Sequence, residues 1–265
     1  IYRNILSRLP KKYPDAFIVW ETLGSLSAQI GKVDKAIEAY KKCISLKPDY
    51  ANAYINIAVL YKAQGKLDDS INAYYKFILL NPENADAYIN IGNALQGQFK
   101  FDQAISSYNK AISLNPNSSQ AFYNLGNAQL AQHKLENAIE CYSKALSINP
   151  NYVQAHYNLG VALKDQGKFE EAITAYNKAI FLNPNYANAH NNIGVLLQDL
   201  GKTNQAIDAY NKAILIKPNY AEAHHNLSFT LLNSGRLKEG LDESEWRWKT
   251  EKYFYKNRHF SRPMW

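Results

Sequence analysis

The stretch ADAYINIGNALQGQFKFDQAISSYNKAISLNPNS (residues 85–118) is followed at once by SQAFYNLGNAQLAQHKLENAIECYSKALSINPNY (residues 119–152), and the two align without a gap. Each is 34 residues long and ends in the same Asn-Pro turn. Each places large apolar or aromatic residues at helical spacing in two runs separated by a short break. A self-similarity of this length is the mark of a repeat protein, whose units bury their apolar faces on one another.

The period extends in both directions. Pro14, Pro48, Pro82, Pro116, Pro150, Pro184 and Pro218 stand 34 residues apart. With proline as position 32, complete units begin at Phe17, Ala51, Ala85, Ser119, Val153, Ala187 and Ala221. Position 24 is then Tyr40, Tyr74, Tyr108, Tyr142, Tyr176 and Tyr210, and position 7 is always Leu or Ile. Positions 4, 7 and 11 form the stripe of a first helix, and positions 17, 20, 21, 24, 27 and 28 that of a second.

Position 8 is Gly24, Ala58, Gly92, Gly126, Gly160, Gly194 and Ser228. A glycine inside a helix costs roughly 1 kcal/mol against alanine. Its recurrence opposite small residues at position 20 (Ala36, Ser70, Ala104, Ala138, Ala172, Ala206, Gly240) predicts two backbones in close approach. Glycine at position 15 predicts a left-handed end to the first helix. Phe99 and His133 replace it in two units, and their turns are expected to differ. Proline at position 32 stops the second helix.

The Trp20-x-x-Leu23-Gly24 motif and the periodic Ala, Tyr, Ala and Pro positions closely resemble the tetratricopeptide-repeat (TPR) family over residues 17–250. The resemblance implies an all-α fold, a right-handed superhelical solenoid of antiparallel helix hairpins. Residues 1–16 read as the second helix of a truncated preceding repeat and 17–220 as six complete repeats. Residues 221–250 read as a degenerate seventh or capping repeat, and 251–265 as an aromatic-basic tail or a junction to a further domain. The opening Ile1-Tyr2-Arg3 reads as a helix entered part-way, so the chain is taken as a fragment of a longer protein.

The formal charge of +7 is concentrated at the ends. Residues 1–16 and 236–265 each carry +3, leaving +1 on the body of 219 residues between them. That distribution argues against a nucleic-acid surface. No stretch is long enough to span a membrane or reads as a signal peptide. Cys43 and Cys141 lie too far apart in a stack to bridge, read as small hydrophobes, and fit a cytoplasmic location. His156, His190 and His224 share position 4, one repeat apart (about 10 Å). That is too far to share a metal ion, so they read as replacements for the position-4 aromatic. No catalytic constellation, metal site or cofactor motif is present, and no enzymatic activity is expected of this chain.

In TPR proteins the first helices line a concave groove, and positions 2, 6, 9 and 13 would face it. Position 6 reads Asn56, Asn90, Asn124, Asn158, Asn192 and Asn226; Asn93 and Asn127 at position 9 add two rungs. An amide carries donor and acceptor and can hold a peptide unit regardless of its side chain. The array is similar to the asparagine ladder in the TPR arm of protein O-GlcNAc transferases, which implies binding of extended peptide or protein segments. The same asparagines serve equally well as hydrogen bonds between helices. Six rungs at about 1 kcal/mol each correspond to tens of micromolar affinity at best. Tyr123, Tyr157, Val161, Val195 and Phe229 would supply flanking pockets. The amides and carboxylates at positions 2 and 13 offer neither the cations of a chaperone-tail clamp nor a path for RNA phosphates.

Residues 246–265 hold seven aromatics, more than a polar cap should show. Trp246, Trp248, Tyr253, Phe260 and Trp265 are candidates for docking a partner or a downstream domain. The segment running from Gly235-Arg236-Leu237 through Glu245-Trp246-Arg247-Trp248 to Pro263-Met264-Trp265 resembles the junction in bacterial TPR proteins that carry a glycosyltransferase-like domain. The expected function is a protein-interaction module that recruits substrates for a larger protein. A self-assembling scaffold with weak self-association through the aromatic end is the alternative.

Overall fold

The computed structural model describes residues 10–244 and Trp246. The reading of residues 1–9 as helix, and the candidate residues Trp248, Tyr253, Phe260 and Trp265, lie outside the described residues. The chain divides into two units, Ile1–Ile148 and Asn149–Trp265. Unit 1 holds α1 (Phe17–Gln29), α2 (Val33–Leu46), α3 (Ala51–Ala63), α4 (Leu67–Leu80), α5 (Ala85–Gly97), α6 (Phe101–Leu114), α7 (Ser119–Ala131) and α8 (Leu135–Ile148). Unit 2 holds α9 (Val153–Asp165), α10 (Phe169–Leu182), α11 (Ala187–Asp199), α12 (Thr203–Ile216), α13 (Ala221–Asn233) and α14 (Leu237–Ser244). Within each unit the helices pair as antiparallel hairpins, and each second helix packs on the first helix of the next hairpin. No strand occurs among the described residues.

The core is periodic because the sequence is. The position-24 tyrosines are buried almost completely, beside fully buried position-20 and position-27 alanines. Position 8 lies under the tyrosine ring. A Cβ placed on Gly24 or Gly126 would come within 2.7 Å of Tyr40 or Tyr142, and one on Gly92 would lie closer still to Tyr108. The glycine therefore serves the ring as well as the neighbouring backbone, which the sequence pattern alone did not identify. The backbone approach is seen directly where serine replaces a small residue. Ser70 at position 20 donates to the Ala58 carbonyl at position 8, at 2.7 Å. Ser228 at position 8 donates to the Gly240 carbonyl at position 20, also at 2.7 Å. In the Ala58 repeat the Tyr74 hydroxyl is buried and has no hydrogen-bond partner.

The turns after α5 and α7 do not differ from the others, against expectation. Phe99 and His133 take φ of 60° and 56°, beside 71–82° at Gly31, Gly65, Gly167, Gly201 and Gly235. The same pair of helix-end bonds forms in each. Lys66 N donates to Tyr61 O at 2.9 Å and Gly65 N to Lys62 O at 3.0 Å; Lys100 N donates to Leu95 O at 3.0 Å and Phe99 N to Gln96 O at 2.9 Å. Packing of both helices fixes where the chain must turn, and the side chain accepts the left-handed conformation.

Two further features recur. The position-4 side chain reaches back to the carbonyl of the preceding proline: Trp20 Nε1 to Pro14 O (2.8 Å), Tyr54 OH to Pro48 O (3.1 Å), His156 Nε2 to Pro150 O (2.9 Å), His190 Nε2 to Pro184 O (3.4 Å) and His224 Nε2 to Pro218 O (2.9 Å). A carbonyl only accepts, so each imidazole Nε2 carries hydrogen and stands in for the indole or phenol. In unit 1 a glutamine at position 14 donates to the position-18 aspartate of the hairpin before it. These pairs are Gln64 to Asp34 (2.8 Å), Gln98 to Asp68 (2.9 Å) and Gln132 to Asp102 (2.8 Å). Unit 2 has Gln166, Leu200 and Ser234 at position 14, and neither Leu200 nor Ser234 makes such a bond.

Phe99 and His133 are exposed, so replacing them removes strain and little packing. Phe99→Gly and His133→Gly are each expected to raise stability by about 0.5–1 kcal/mol, read as a shift in urea midpoint at unchanged slope. Burial pushes the Tyr40 and Tyr74 hydroxyls up from 10.0 to about 12. A raised folded-state value gives stability that is complete below pH 10 and drains away as pH rises through 12. Equilibrium unfolding between pH 9 and 12 should show that fall.

Candidate binding face

Positions 2, 6, 9 and 13 share one side of each first helix. Positions 2 and 13 are exposed in every complete repeat of both units from Ala51 onward. In unit 1 the face carries Asn52, Asn56 and Val59 on α3, Asp86, Asn90 and Asn93 on α5, and Gln120, Asn124 and Asn127 on α7. In unit 2 it carries Gln154, Asn158, Val161 and Asp165 on α9, Asn188, Asn192, Val195 and Asp199 on α11, and Glu222, Asn226, Phe229 and Asn233 on α13. Val59 and Phe229, both at position 9, are half exposed, at 52% and 51%.

The asparagines do not all do the same thing. Asn56 makes no hydrogen bond within the described residues. Asn90 donates through Nδ2 to the Asp86 carbonyl at 2.9 Å, which leaves its Oδ1 open. Asn93 accepts at Oδ1 from Tyr108 OH (2.9 Å) and from Asn124 Nδ2 (2.8 Å), which leaves its Nδ2 open. Asn124 is 6% exposed. Its Oδ1 also accepts from Gln120 Nε2 at 2.8 Å, so both ends of its amide are engaged. Asn127 Oδ1 accepts from Tyr142 OH at 2.8 Å. In unit 2, Asn192 Nδ2 lies 3.2 Å from Tyr157 OH and 3.3 Å from Tyr176 OH. Asn226 Nδ2 donates to Asn191 Oδ1 at 3.2 Å. Asn158 is half-buried on α9.

The tyrosines under this face are neutral: Tyr108, Tyr142 and Tyr210 donate to the amides, and Tyr157 and Tyr176 accept from Asn192. Burial raises Tyr108, Tyr176 and Tyr210 well above the ordinary phenol range. Sequence reasoning placed the asparagines along one side of the first helices but missed that core hydroxyls reach them. It also missed Asn191, fully buried with an unpartnered Nδ2, and Gln198, whose Oε1 accepts from Tyr210 OH (3.1 Å) and Thr230 Oγ1 (2.6 Å). The column of glutamines at position 14 was a visible but unused signal.

Of the C-terminal candidates, Trp246 is half-buried. Its ring stacks on His224 with centroids 4.0 Å apart and planes 5° from parallel. His224 also meets Glu243 through Nδ1, so this tryptophan covers the last hairpin. Cys43 is buried and Cys141 half-buried, both unbridged. Burial raises the Cys141 thiol to about 11, which suppresses its reactivity. Among the described residues no group of three or more His, Cys, Asp or Glu could hold a metal ion. No described helix is long and apolar enough to cross a membrane.

Comparison with known families places this geometry. A TPR repeat profile matches residues 24–65, 60–98, 126–167 and 160–201, more than half of the chain. Two tetratricopeptide-repeat profiles match residues 85–118 and 187–220, and 107–140 and 209–242. The chain belongs to the tetratricopeptide-repeat family. No curated protein matches it. Among solved structures it is similar to YrrB, described as a TPR protein with an unusual peptide-binding site, at 26% identity and a TM-score of 0.60. That match covers 76% of this chain and all of YrrB. It is similar to MamA at 27% identity and a TM-score of 0.59, over 65% of this chain and 94% of MamA. The pilF protein of Pseudomonas aeruginosa, at 21% identity and a TM-score of 0.65, shares the fold over 78% of this chain and 94% of that one.

Asn124 ties α7 to α5, so Asn124→Ala is expected to cost about 1–2 kcal/mol, seen as a lower melting temperature with helical signal retained.

Proposed function

We propose that this chain is a protein-interaction module that holds extended peptide or protein segments along the first-helix faces of its units. It acts as the recruiting arm of a larger protein. The observation that carries the reading is the open amide chemistry of α3 and α5. Asn56 has both ends free, Asn90 offers an acceptor, and Asn93 offers a donor one helical turn further on. An extended residue presents one N–H and one C=O to the same side, and this pair matches them without reading a side chain. The half-exposed Val59 and Phe229 add apolar contact. The peptide-binding site named for YrrB supports the reading at the level of the family. The aromatic-basic sequence after residue 246 supports attachment to a further domain.

The binding asparagines and the structural one separate by experiment. A mixed pool of unstructured peptides, followed by polarisation, should bind the wild-type chain weakly. Asn56→Ala/Asn90→Ala/Asn93→Leu is expected to lose detectable binding through the open amides. Asn56→Ala/Asn90→Ala alone should weaken binding about tenfold or more while leaving the melting temperature within a degree or two. Unchanged affinity in the double variant would falsify the amide clamp.

A further inference from the structure

The internal repeats report what fills each position, and one slot in unit 2 is left open. Between α4 and α5 in unit 1 the slot is occupied from both sides. Leu67 at position 17 reaches to 3.2 Å of where a Cβ on Gly97 would stand. Gln98 at position 14 spans to Asp68, with its Nε2 donating at 2.9 Å. Position 17 is large and apolar in every other repeat: Val33, Leu67, Phe101, Leu135, Phe169 and Leu237. Between α12 and α13 it is Thr203, position 14 is Ser234, and the position-18 partner is Asn204. A cavity of about 270 Å³ lies there, lined by Gln198, Thr203, Thr230, Asn233 and Ser234. Asn233 belongs to the position-13 row of the binding face, so the cavity opens at its rim.

We infer that this cavity is a side-chain pocket of the groove and that it takes a glutamine from the bound segment. The inference rests on the reading of the first-helix face as a peptide groove. The missing groups define the occupant: an aliphatic stem in place of the leucine and a primary amide in place of Gln98. The polar contacts are already arranged. Gln198 Oε1 is held by Tyr210 OH at 3.1 Å and Thr230 Oγ1 at 2.6 Å, while its Nε2 makes no bond within the described residues. That Nε2 is the donor for an incoming amide oxygen. Asn204 does not line the cavity but holds the repeat position of Asp68; it is exposed and likewise unbonded, and turned to the opening its Oδ1 is the acceptor for an incoming NH₂, as Asp68 is for Gln98. In unit 1 the Oε1 atoms of Gln64, Gln98 and Gln132 are buried without a donor. The unit 2 pocket supplies the donor they lack. Alanine leaves the pocket empty and forfeits both bonds. Glutamate brings a charge into a cavity whose lining holds no cation.

The test uses the full chain and three labelled 15-residue peptide pools. Each is randomised over all residues except Gln and Asn, with the central residue fixed as Gln, Ala or Glu. By polarisation the wild type is expected to bind the Gln pool five- to tenfold more tightly than the Ala pool. Thr203→Leu/Ser234→Gln, which rebuilds the unit 1 filling, should bind both pools equally and melt at a higher temperature. The milder Ser234→Gln should give the same loss of discrimination if the double variant does not fold. Equal wild-type affinity for the Gln and Ala pools, or preference for the Glu pool, overturns the glutamine pocket and leaves the groove standing. Absence of binding to any pool overturns both.

Discussion

The contact between the position-24 tyrosine ring and the bare backbone at position 8 governs the five hairpins that carry glycine there. It sets the separation of the two helices, excludes a side chain from the middle of the first helix, and buries the largest ring of the repeat. The ring is also oriented by it, with the hydroxyl carried through the hairpin to the far side. There Tyr108 meets Asn93, Tyr142 meets Asn127, Tyr176 meets Asn192, and Tyr210 meets Gln198. The core residue that makes the repeat fold is thus the residue that orients amides on its open face. Core packing and the orientation of the surface amides share an atom.

This sharing explains how much of the molecule was legible in the sequence. Period, helix pairs and buried columns could be read because each depends on local pattern and on apolar side chains that have one place to go. The tolerance of Phe99 and His133 for a left-handed turn could not. It depends on two helices whose packing leaves the chain no other path. The asparagine column was legible as a column only. Whether an amide is a strut or a rung depends on which neighbour reaches it. Asn124 is a strut because Gln120 lies a turn before it and Asn93 lies in the preceding hairpin. Asn56 has neither arrangement: Asn52 lies a turn before it where Asn124 has Gln120, and Ser25 holds position 9 of the preceding hairpin where Asn124 has Asn93.

The two units use the same scaffold with different side-chain economies. Unit 1 stitches successive hairpins with solvent-exposed glutamine–aspartate pairs at the end of each first helix, each worth about 0.5–1 kcal/mol. Unit 2 gives up that stitch at Leu200 and Ser234 and relies on amide and phenol contacts among Tyr157, Asn191, Asn192 and Asn226. Its open face also carries more carboxylates, Asp165, Asp199 and Glu222, against Asp86 alone at these positions in unit 1 from α3 onward.

Ser70 and Ser228 sit at opposite positions of their repeats, yet each closes the same 2.7 Å gap to the other helix. The seam between two helices therefore has room for one hydroxyl and does not record which strand of the hairpin brings it. Inheritance at positions 8 and 20 is pairwise. Either residue scored in isolation would be misjudged. Copying a repeat to lengthen the array carries both halves of the seam together. Recombination inside a hairpin separates them.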